Sequence, residues 1–475
     1  MKVRIFVLLL ALLGYSCASY YRTNQKFNRF FEDGELDRAD KVLEGSPKAA
    51  EGKARLLYYL NRGVTTALLG QPEESNRLLE RAYELGEDLR NNYWNVAGSY
   101  LINPNFSNYT GEDHELLLIH YYKALNFLQL NDTKAALVEC RRLNIKLKQF
   151  ADKYPAGKGY KYHRDAFVHT LMGLIYDADG DANNAFIAYR NAVEIYEEDY
   201  QPLFGISAPQ QLKEDLLRTA HQMNFTDQLR RYEQQFGITH QAQPTAGGNL
   251  VFFWNNGLGP VKTEWGVNFA LVRGAGGLVN FQNQQHGWNF PFRLNSDEEY
   301  EEKGLSNLEL IRVAFPRYHE RALYFDQATL KANNRSFSLQ KAEDVNAIAF
   351  QSLQQRMLRE FSTSLLRVAL KKAAEYGVRA KNDDLGAVLG VVNALTERAD
   401  TRNWQTIPHT IYYRRVSLPV GNHPVQLALQ GGKQRQTHDF TITVQKNHTT
   451  FHAFQSLETT GFPHVSDGYR AVLPR

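Results

Sequence analysis

The sequence predicts an α+β multidomain protein in which stacked helical hairpins come first and a mixed domain of strands and helices follows. Three observations carry this prediction. Small residues recur at helical spacing between residues 18 and 238. Dense runs of β-branched and aromatic residues begin at Leu250. The length of 475 residues also exceeds that of one ordinary domain.

The clearest repeat lies between Arg164 and Glu198. Gly173 falls on a first apolar helical run, Gly180 marks a turn, and Tyr189 falls on a second helical run. This spacing is typical of the tetratricopeptide repeat (TPR), in which small residues let two antiparallel helices approach closely. One such hairpin cannot bury its apolar face alone, so the repeat predicts neighbours that stack on it.

Related units precede and follow this repeat, and each contains a residue suited to a tight turn. The predicted turn residues of these units are Gly34, Gly70, Asn131 and Asn224. The intervals between units exceed the usual period of about 34 residues. We attribute the excess to two inserts, residues 91–112 and 149–163, that are rich in Asn, Gly, Tyr and Pro.

The aromatic residues of the two inserts are candidate binding residues. Tyr93 and Trp94 lie in the first insert and Tyr160 lies in the second. Exposed aromatic loops on a rigid scaffold often bind a partner. The alternative is that the inserts fold back and cap the solenoid.

The N-terminus has the features of a secretory signal over residues 1–17. Lys2 and Arg4 precede a short apolar run, and small residues then lead to Cys17. The run is too short to span a bilayer, which takes about 20 residues. Cys17 occupies the position of the lipid-modified cysteine of bacterial lipoproteins. The alternative is an ordinary signal peptide cut near Ser19.

The residues after Cys17 contain no acidic cluster, which favours the outer membrane with the body of the protein in the periplasm. An acylated Cys17 would attach the protein to that membrane. Only Cys17 and Cys140 are present, so the chain offers no disulfide framework. Cys140 falls on an apolar repeat position, and we expect it to be a small buried residue.

Composition separates the second half from the first. Residues 239–249 contain proline and paired glycines and are expected to form a linker. Beyond it, the pattern predicts strands over 250–342, a helical hairpin over 346–398 and strands over 410–455. We expect the strands to form an antiparallel sandwich-like sheet into which the helical hairpin is inserted. Within this region, we expect residues 274–302 to form a long loop and Asn333-Asn334 to form a turn.

Two stretches of the second half resemble motifs of a known group of proteins. Residues 256–262 read NGLGPVK and residues 399–404 read ADTRNW, followed by Ile407-Pro408. These stretches resemble an uncharacterised family of bacterial envelope lipoproteins with a TPR-like N-terminal half. Some of its members are encoded near lipoproteins that activate peptidoglycan synthases. The resemblance implies a role in the cell envelope and no assigned activity.

The two motifs supply the candidate interaction residues Lys262, Asp400, Arg402 and Trp404. We expect structural roles for them: an ion pair or a clamp on backbone carbonyls for Asp400 and Arg402, and a core position for Trp404. The alternative is that all four meet at one functional groove. The sequence contains no zinc-spaced cysteines, no His-Glu-x-x-His pair and no nucleophile elbow. We therefore expect no catalytic residue, metal site or cofactor.

The sequence leads to three hypotheses for function. The first is a non-enzymatic adaptor on the outer membrane, whose TPR groove binds envelope proteins. The second is a glycan- or polymer-binding lipoprotein of an outer-membrane transporter, which the aromatic inserts favour. The third is a cell-wall enzyme with an unfamiliar site. A net charge of +4, from 55 basic and 51 acidic residues, gives no reason to expect a nucleic-acid partner.

Overall fold

A computed structural model of the chain describes most of its residues. The described residues are 22–95, 107–152, 162–241, 247–294, 298, 301, 305, 308–379 and 398–460. Cys17, Tyr160 and most of the second predicted helix, residues 380–397, lie outside them. The side chains of Tyr93 and Trp94 lie outside them as well, although their backbone is helical.

The first half of the chain consists of helices joined in antiparallel pairs. Residues 22–32 belong to helix α1, and the later helices stack on one another in chain order. Their bounds are α2 (Leu36–Glu44), α3 (Arg55–Leu68), α4 (Pro72–Asn95), α5 (Asp113–Gln129), α6 (Thr133–Asp152), α7 (Ala166–Ala178), α8 (Ala182–Ile195), α9 (Gln210–Gln222) and α10 (Thr226–Phe236). A five-residue π-helical turn, Tyr196–Tyr200, extends α8.

Every hairpin turn in this half contains a residue in the left-handed backbone conformation. The five residues and their φ angles are Gly34 (74°), Gly70 (74°), Asn131 (59°), Gly180 (81°) and Asn224 (55°). Glycine has no Cβ to clash there, and asparagine tolerates the conformation better than most residues. The turn positions predicted from the sequence are therefore confirmed.

Small residues mark the sites where paired helices come closest. A Cβ atom on Gly63 would lie 2.6 Å from the side chain of Leu79, and one on Gly173 would lie 2.3 Å from the ring of Tyr189. In the third hairpin, the equivalent positions hold Ala124 and the buried Cys140. In these three pairs, the close approach of the helices thus depends on a glycine or an alanine at the contact point.

The described residues of the second half form twelve strands in three four-stranded sheets. The strands are β1 (Gly247–Asn256), β2 (Val261–Arg273), β3 (Leu278–Asn283), β4 (Trp288–Arg293), β5 (Leu310–His319), β6 (Gln327–Ala332), β7 (Arg335–Ser338), β8 (Gln340–Asp344), β9 (Thr410–Pro419), β10 (Gly421–Gly431), β11 (Gln434–Val444) and β12 (Thr449–Ser456). We call the sheet β12-β1-β9-β8 the central sheet, β11-β10-β6-β7 the outer sheet and β4-β3-β2-β5 the side sheet.

The central sheet is buried on both faces. From β1, Leu250, Phe252 and Trp254 point into a core shared with the outer sheet, which makes a sandwich of these two sheets. Val251 and Phe253 point the opposite way, into the core of the helices. All five side chains are fully buried. The unbroken apolar run that begins at Leu250 is therefore a strand with no solvent-facing side.

The long helix α11 (Val345–Arg379) packs on the side sheet. Leu365, Val368 and Ala373 of this helix meet Phe269 and Phe281 of the sheet in a separate core. The first helix of the predicted hairpin is thus present, and it starts where β8 ends. Within the described ranges, no helix combines the length and the hydropathy that a bilayer span requires.

Three features differ from the sequence-based expectations. The stretch 274–302 contains the antiparallel hairpin β3–β4, whose Phe290 ring contacts Phe269 of β2, and is not one long loop. The sandwich is not wholly antiparallel, because β1 pairs with β12 in parallel. Strand β1 starts at Gly247, inside the stretch expected to be a linker. The turn predicted at Asn333-Asn334 is confirmed by left-handed backbone angles at both residues.

Substitution of Gly173 by alanine tests the close approach of α7 and α8. The new Cβ would displace the ring of Tyr189, and we expect the free energy of unfolding to fall by about 1–3 kcal/mol. Urea denaturation measures the change. Gly377→Ala in α11 is the control, because a Cβ there meets no atom within 4 Å. Equal stability of the two variants would contradict the steric argument.

Candidate functional site

The two sequence motifs of the second half lie against each other. The side chain of Asn403 donates to the carbonyl of Pro260 (2.7 Å) and accepts from the backbone N–H of Lys262 (3.2 Å). The N–H of Gly259 donates to the carbonyl of Ile407 (2.6 Å). A Cβ on Gly259 would lie 2.4 Å from Ile407, so the glycine permits this contact.

The side chain of Lys262 extends from these two motifs towards the helical half. Its ammonium donates to the carboxylate of Glu112, at the start of α5, and to the carbonyl of Arg402 (2.9 Å). The side chain of Lys262 is 1% exposed and that of Glu112 is 7% exposed. This is a buried ion pair between the two halves, in which the attraction of the two charges offsets part of the free energy lost when both leave water.

Asp400 and Arg402 form a two-point ion pair, with N–O distances of 2.8 and 2.6 Å. The same guanidinium donates to the carbonyls of Lys53 (3.4 Å) and Ser107 (3.2 Å) in the helical half. Both roles expected from the sequence, the ion pair and the carbonyl clamp, are therefore present. A planar guanidinium with several fixed donors suits this double task.

Trp404 is fully buried, and its backbone N–H donates to Glu115 of α5 (2.7 Å). The hydroxyl of Tyr109 donates to the same carboxyl group (2.5 Å). Burial and the neighbouring Glu112 raise the pKa of Glu115, while the charge of Lys262 opposes that rise. We call the set Lys262, Glu112, Glu115, Asp400 and Arg402 the Lys262 cluster.

The four candidate residues of the second half thus come together, but inside the molecule. Lys262, Arg402 and Trp404 are each less than a tenth exposed. Tyr109 and Tyr162, the described tyrosines of the two inserts, are also buried and hydrogen-bonded to carboxyl groups. The arrangement suits a junction between two parts of the chain and offers no open groove to a ligand.

A second buried cluster joins β9 to the helices, and no sequence motif indicated it. The guanidinium of Arg415 contacts the carboxylates of Asp177 (α7) and Asp215 (α9). It also donates to the hydroxyl of Tyr189 (3.0 Å). Arg218 pairs with Asp177 as well (2.5 Å). These five residues form the Arg415 cluster.

The pKa values in the Arg415 cluster follow from burial and charge. Burial raises the pKa of Asp215, and the two arginines offset only part of that rise. At Asp177, burial acts in the same direction, but Arg415 and Arg218 outweigh it and lower the pKa. The ring of Tyr189 lies against Gly173, where a Cβ would clash with it, and its hydroxyl accepts from Arg415. Gly173 therefore leaves room for the ring that takes part in this cluster.

A pair of carboxyl groups forms the third polar contact between the halves. Asp165 caps the start of α7, Glu343 lies near the end of β8, and both carboxyl groups line the same small cavity. Tyr162 donates to Asp165 (2.5 Å) and Tyr200 to Glu343 (3.0 Å). Burial raises the pKa of Glu343 well above its ordinary value, and the charge of Asp165 adds to the rise.

The pair lines a cavity of about 30 Å³. That volume has room for a water molecule or two, and it is far below the volume that a small-molecule ligand occupies. Other residues of the lining include His114, Tyr121 and Phe167. In the described part of the chain, no three side chains of His, Cys, Asp or Glu lie close enough together to bind a metal ion.

The inner face of the helical array carries all of these contacts. Hydrogen bonds join the first helices of the hairpins to the central sheet and to the segment before β9. Tyr121 of α5 donates to Asn255 (2.8 Å), and Asn61 of α3 accepts from Thr406 (3.2 Å). The groove that the sequence suggested for partner proteins is therefore filled by the chain itself. The physical reason is the apolar second face of β1, which has to be buried.

Comparisons with known proteins leave the family open. No protein-family model matches the chain, and no curated protein matches its sequence. Among solved structures, MamA aligns with 44% of this chain and 91% of its own, at 15% identity and a TM-score of 0.28. A kinesin light chain with TPR-like repeats from Podosopora anserina aligns with 45% and 92%, at 14% identity and a TM-score of 0.30.

A third solved structure, the TPR2AB domain of yeast Sti1 in complex with an HSP90 peptide, aligns with 46% of this chain and 76% of its own. Its identity is 14% and its TM-score is 0.21. These scores are low. The pairing of the helices in this chain is defined by its own turns and contacts.

Replacing Lys262 by methionine tests the buried ion pair. The variant leaves Glu112 buried without its cation, and we expect a loss of about 3–5 kcal/mol in the free energy of unfolding. Adding Glu112→Gln should restore part of the loss in a double-mutant cycle. The control is Arg77→Met, which breaks an exposed pair with Glu74 and should cost less than about 1 kcal/mol. Similar losses for both would contradict a structural role for Lys262.

Glu343→Gln tests the carboxyl pair through its pH dependence. The folded protein retains a proton on Glu343 above pH 4.5, the ordinary pKa, where the unfolded chain has lost it. Stability is therefore fully present below that pH and falls as the pH rises towards the raised pKa. The variant should be more stable than the wild type at pH 8 and equal to it near pH 4.5.

Thermal unfolding across this pH range measures the difference between the two proteins. Glu84→Gln, at an exposed position of α4, is the control and should follow the wild type at every pH. A wild-type protein whose stability rises with pH over this window would contradict the assignment.

Proposed function

We propose that the protein is a non-enzymatic scaffold of the bacterial cell envelope, held to the outer membrane by a lipid on Cys17 with its body in the periplasm. The signal-like residues 1–17 and the resemblance of the two motifs to envelope lipoproteins support the location. The stacked hairpins support the scaffold role, since arrays of this kind present long binding surfaces.

One observation carries the proposal. The Lys262 cluster, the Arg415 cluster and the carboxyl pair hold the helical array to the second half of the chain through buried polar contacts. An array held in this way keeps its shape when a partner binds, so the second helices of the hairpins offer a preformed surface. The partner site of the proposal is therefore the outer face of the array and not the inner groove.

Buried carboxyl groups can also serve acid–base catalysis, but the cavity beside Asp165 and Glu343 favours a structural role. It is lined largely by apolar side chains such as Leu117, Val168 and Ile411, and its size suits water alone. The described tyrosines of the inserts are buried, so they give no support to a sugar-stacking surface.

Crosslinking in native membranes tests the proposal. The wild-type protein should incorporate labelled palmitate, fractionate with the outer membrane and crosslink to envelope proteins. The Cys17→Ser variant should lose the label and the membrane fraction. Absence of label from the wild type would contradict the lipid anchor. Recovery of no envelope protein from intact cells would contradict the scaffold role.

A further inference from the structure

The outer face of α6 carries a row of exposed residues with an unusual composition. Lys134, Val138, Arg141, Ile145 and Lys148 follow one another at intervals of four and three residues. This spacing places all five on one side of the helix. All are exposed, and the two aliphatic side chains are 43% and 56% exposed. We call this set the α6 row.

In the part of the chain that the structure describes, no ion pair neutralises the charges of the α6 row. Among the described residues, no carboxylate pairs with Lys134, Arg141 or Lys148, and Arg141 donates instead to the hydroxyl of Tyr176 (2.8 Å). The exposed arginines of α4 differ, because Arg77 and Arg81 each pair with a glutamate three residues away. The α6 row therefore combines exposed apolar surface with three cations that have no carboxylate partner among the described residues.

We propose that the α6 row docks an acidic amphipathic helix of a partner protein. Alternation of four and three residues is the spacing with which one helix packs along another. Val138 and Ile145 would supply the apolar contacts, and carboxylates on the partner would pair with the flanking cations. The row spans about 21 Å of helix, enough for roughly four turns of a partner.

Charge complementarity favours this occupant over a lipid surface. A helix that lies on a membrane usually buries a broad apolar face with bulky or aromatic residues. The α6 row has two exposed aliphatic residues and no aromatic one. This inference rests on the proposed scaffold role and names the partner class for its outer face.

Binding of a designed peptide to the full-length protein in detergent tests the inference. The probe is a stapled helix of three heptads with leucines along one side and glutamates flanking them. A matched peptide with lysine in place of glutamate is the control. We expect the acidic peptide to bind, the basic peptide not to bind, and the affinity to fall as salt is added.

Variants locate the binding site. Ile145→Asp should weaken peptide binding by about tenfold or more, as expected for the loss of an apolar anchor. The matched control is Ile187→Asp on α8, another exposed aliphatic residue on an outer helix, and it should leave binding unchanged. Both side chains are exposed, so both variants should fold, and thermal unfolding verifies this.

Several results would overturn the inference. Equal binding of the two peptides would show that charge does not select the partner. Peptide binding that Ile145→Asp leaves unchanged would point to another surface.

Binding of phosphatidylglycerol vesicles but not of the peptide would point to a membrane. A dimer that Ile145→Asp dissociates, without any peptide binding, would point to a second copy of the chain.

A photo-crosslinking residue placed at Arg141, with one at Glu84 on α4 as control, separates this inference from the scaffold proposal. An acidic helical segment crosslinked at Arg141 and absent at Glu84 supports both. Partners that crosslink only at other positions would overturn the proposal that the α6 row is the docking site, and the scaffold role would remain intact. Recovery of no partner from any position would overturn the scaffold role, even if the peptide binds.

Discussion

Strand β1 has no exposed face and no free edge, and this constraint determines how the molecule is assembled. Strand β12 covers one edge and β9 the other. The outer sheet covers one face and the helices cover the other. Burial of each large apolar side chain contributes about 1.5–3 kcal/mol. Moving the sheet away from the helices would expose Val251, Phe253 and the apolar inner face of the array together. The helical half and the sandwich therefore behave as one unit.

The buried charges fix how the sheet sits on the helices. Buried ion pairs add little net stability compared with apolar contacts, but an unpaired buried charge is strongly unfavourable. Arg415 lies on the helical face of β9, beside Tyr413 and opposite Val251 of β1. A shift of one residue in register would turn Arg415 into the sandwich and leave Asp177 and Asp215 without their cation. Polar contacts thus select one register, while apolar contacts supply most of the stability.

Local features of the fold could be predicted from the sequence, but the contacts between the halves could not. Gly34, Gly70, Asn131, Gly180 and Asn224 identify the helical turns because the left-handed conformation restricts the residue type. Hairpin β3–β4 was missed because its Gly- and Asn-rich surroundings resemble a loop. Lys262 and Glu112 are 150 residues apart, and no local pattern links them. The charge of Arg415 within the apolar run of β9 was the one available sign of a buried partner.

The parallel pairing of β1 with β12 has a consequence for the order of folding. Asn249 of β1 pairs with Thr449, which follows it by 200 residues. Hairpins of helices need only local contacts and form quickly, whereas a parallel ladder between such distant segments forms slowly. During synthesis, the inner side of the array therefore remains uncovered until the later strands arrive. A nascent chain in this state exposes apolar surface, which makes it prone to aggregation until β1 pairs with β12.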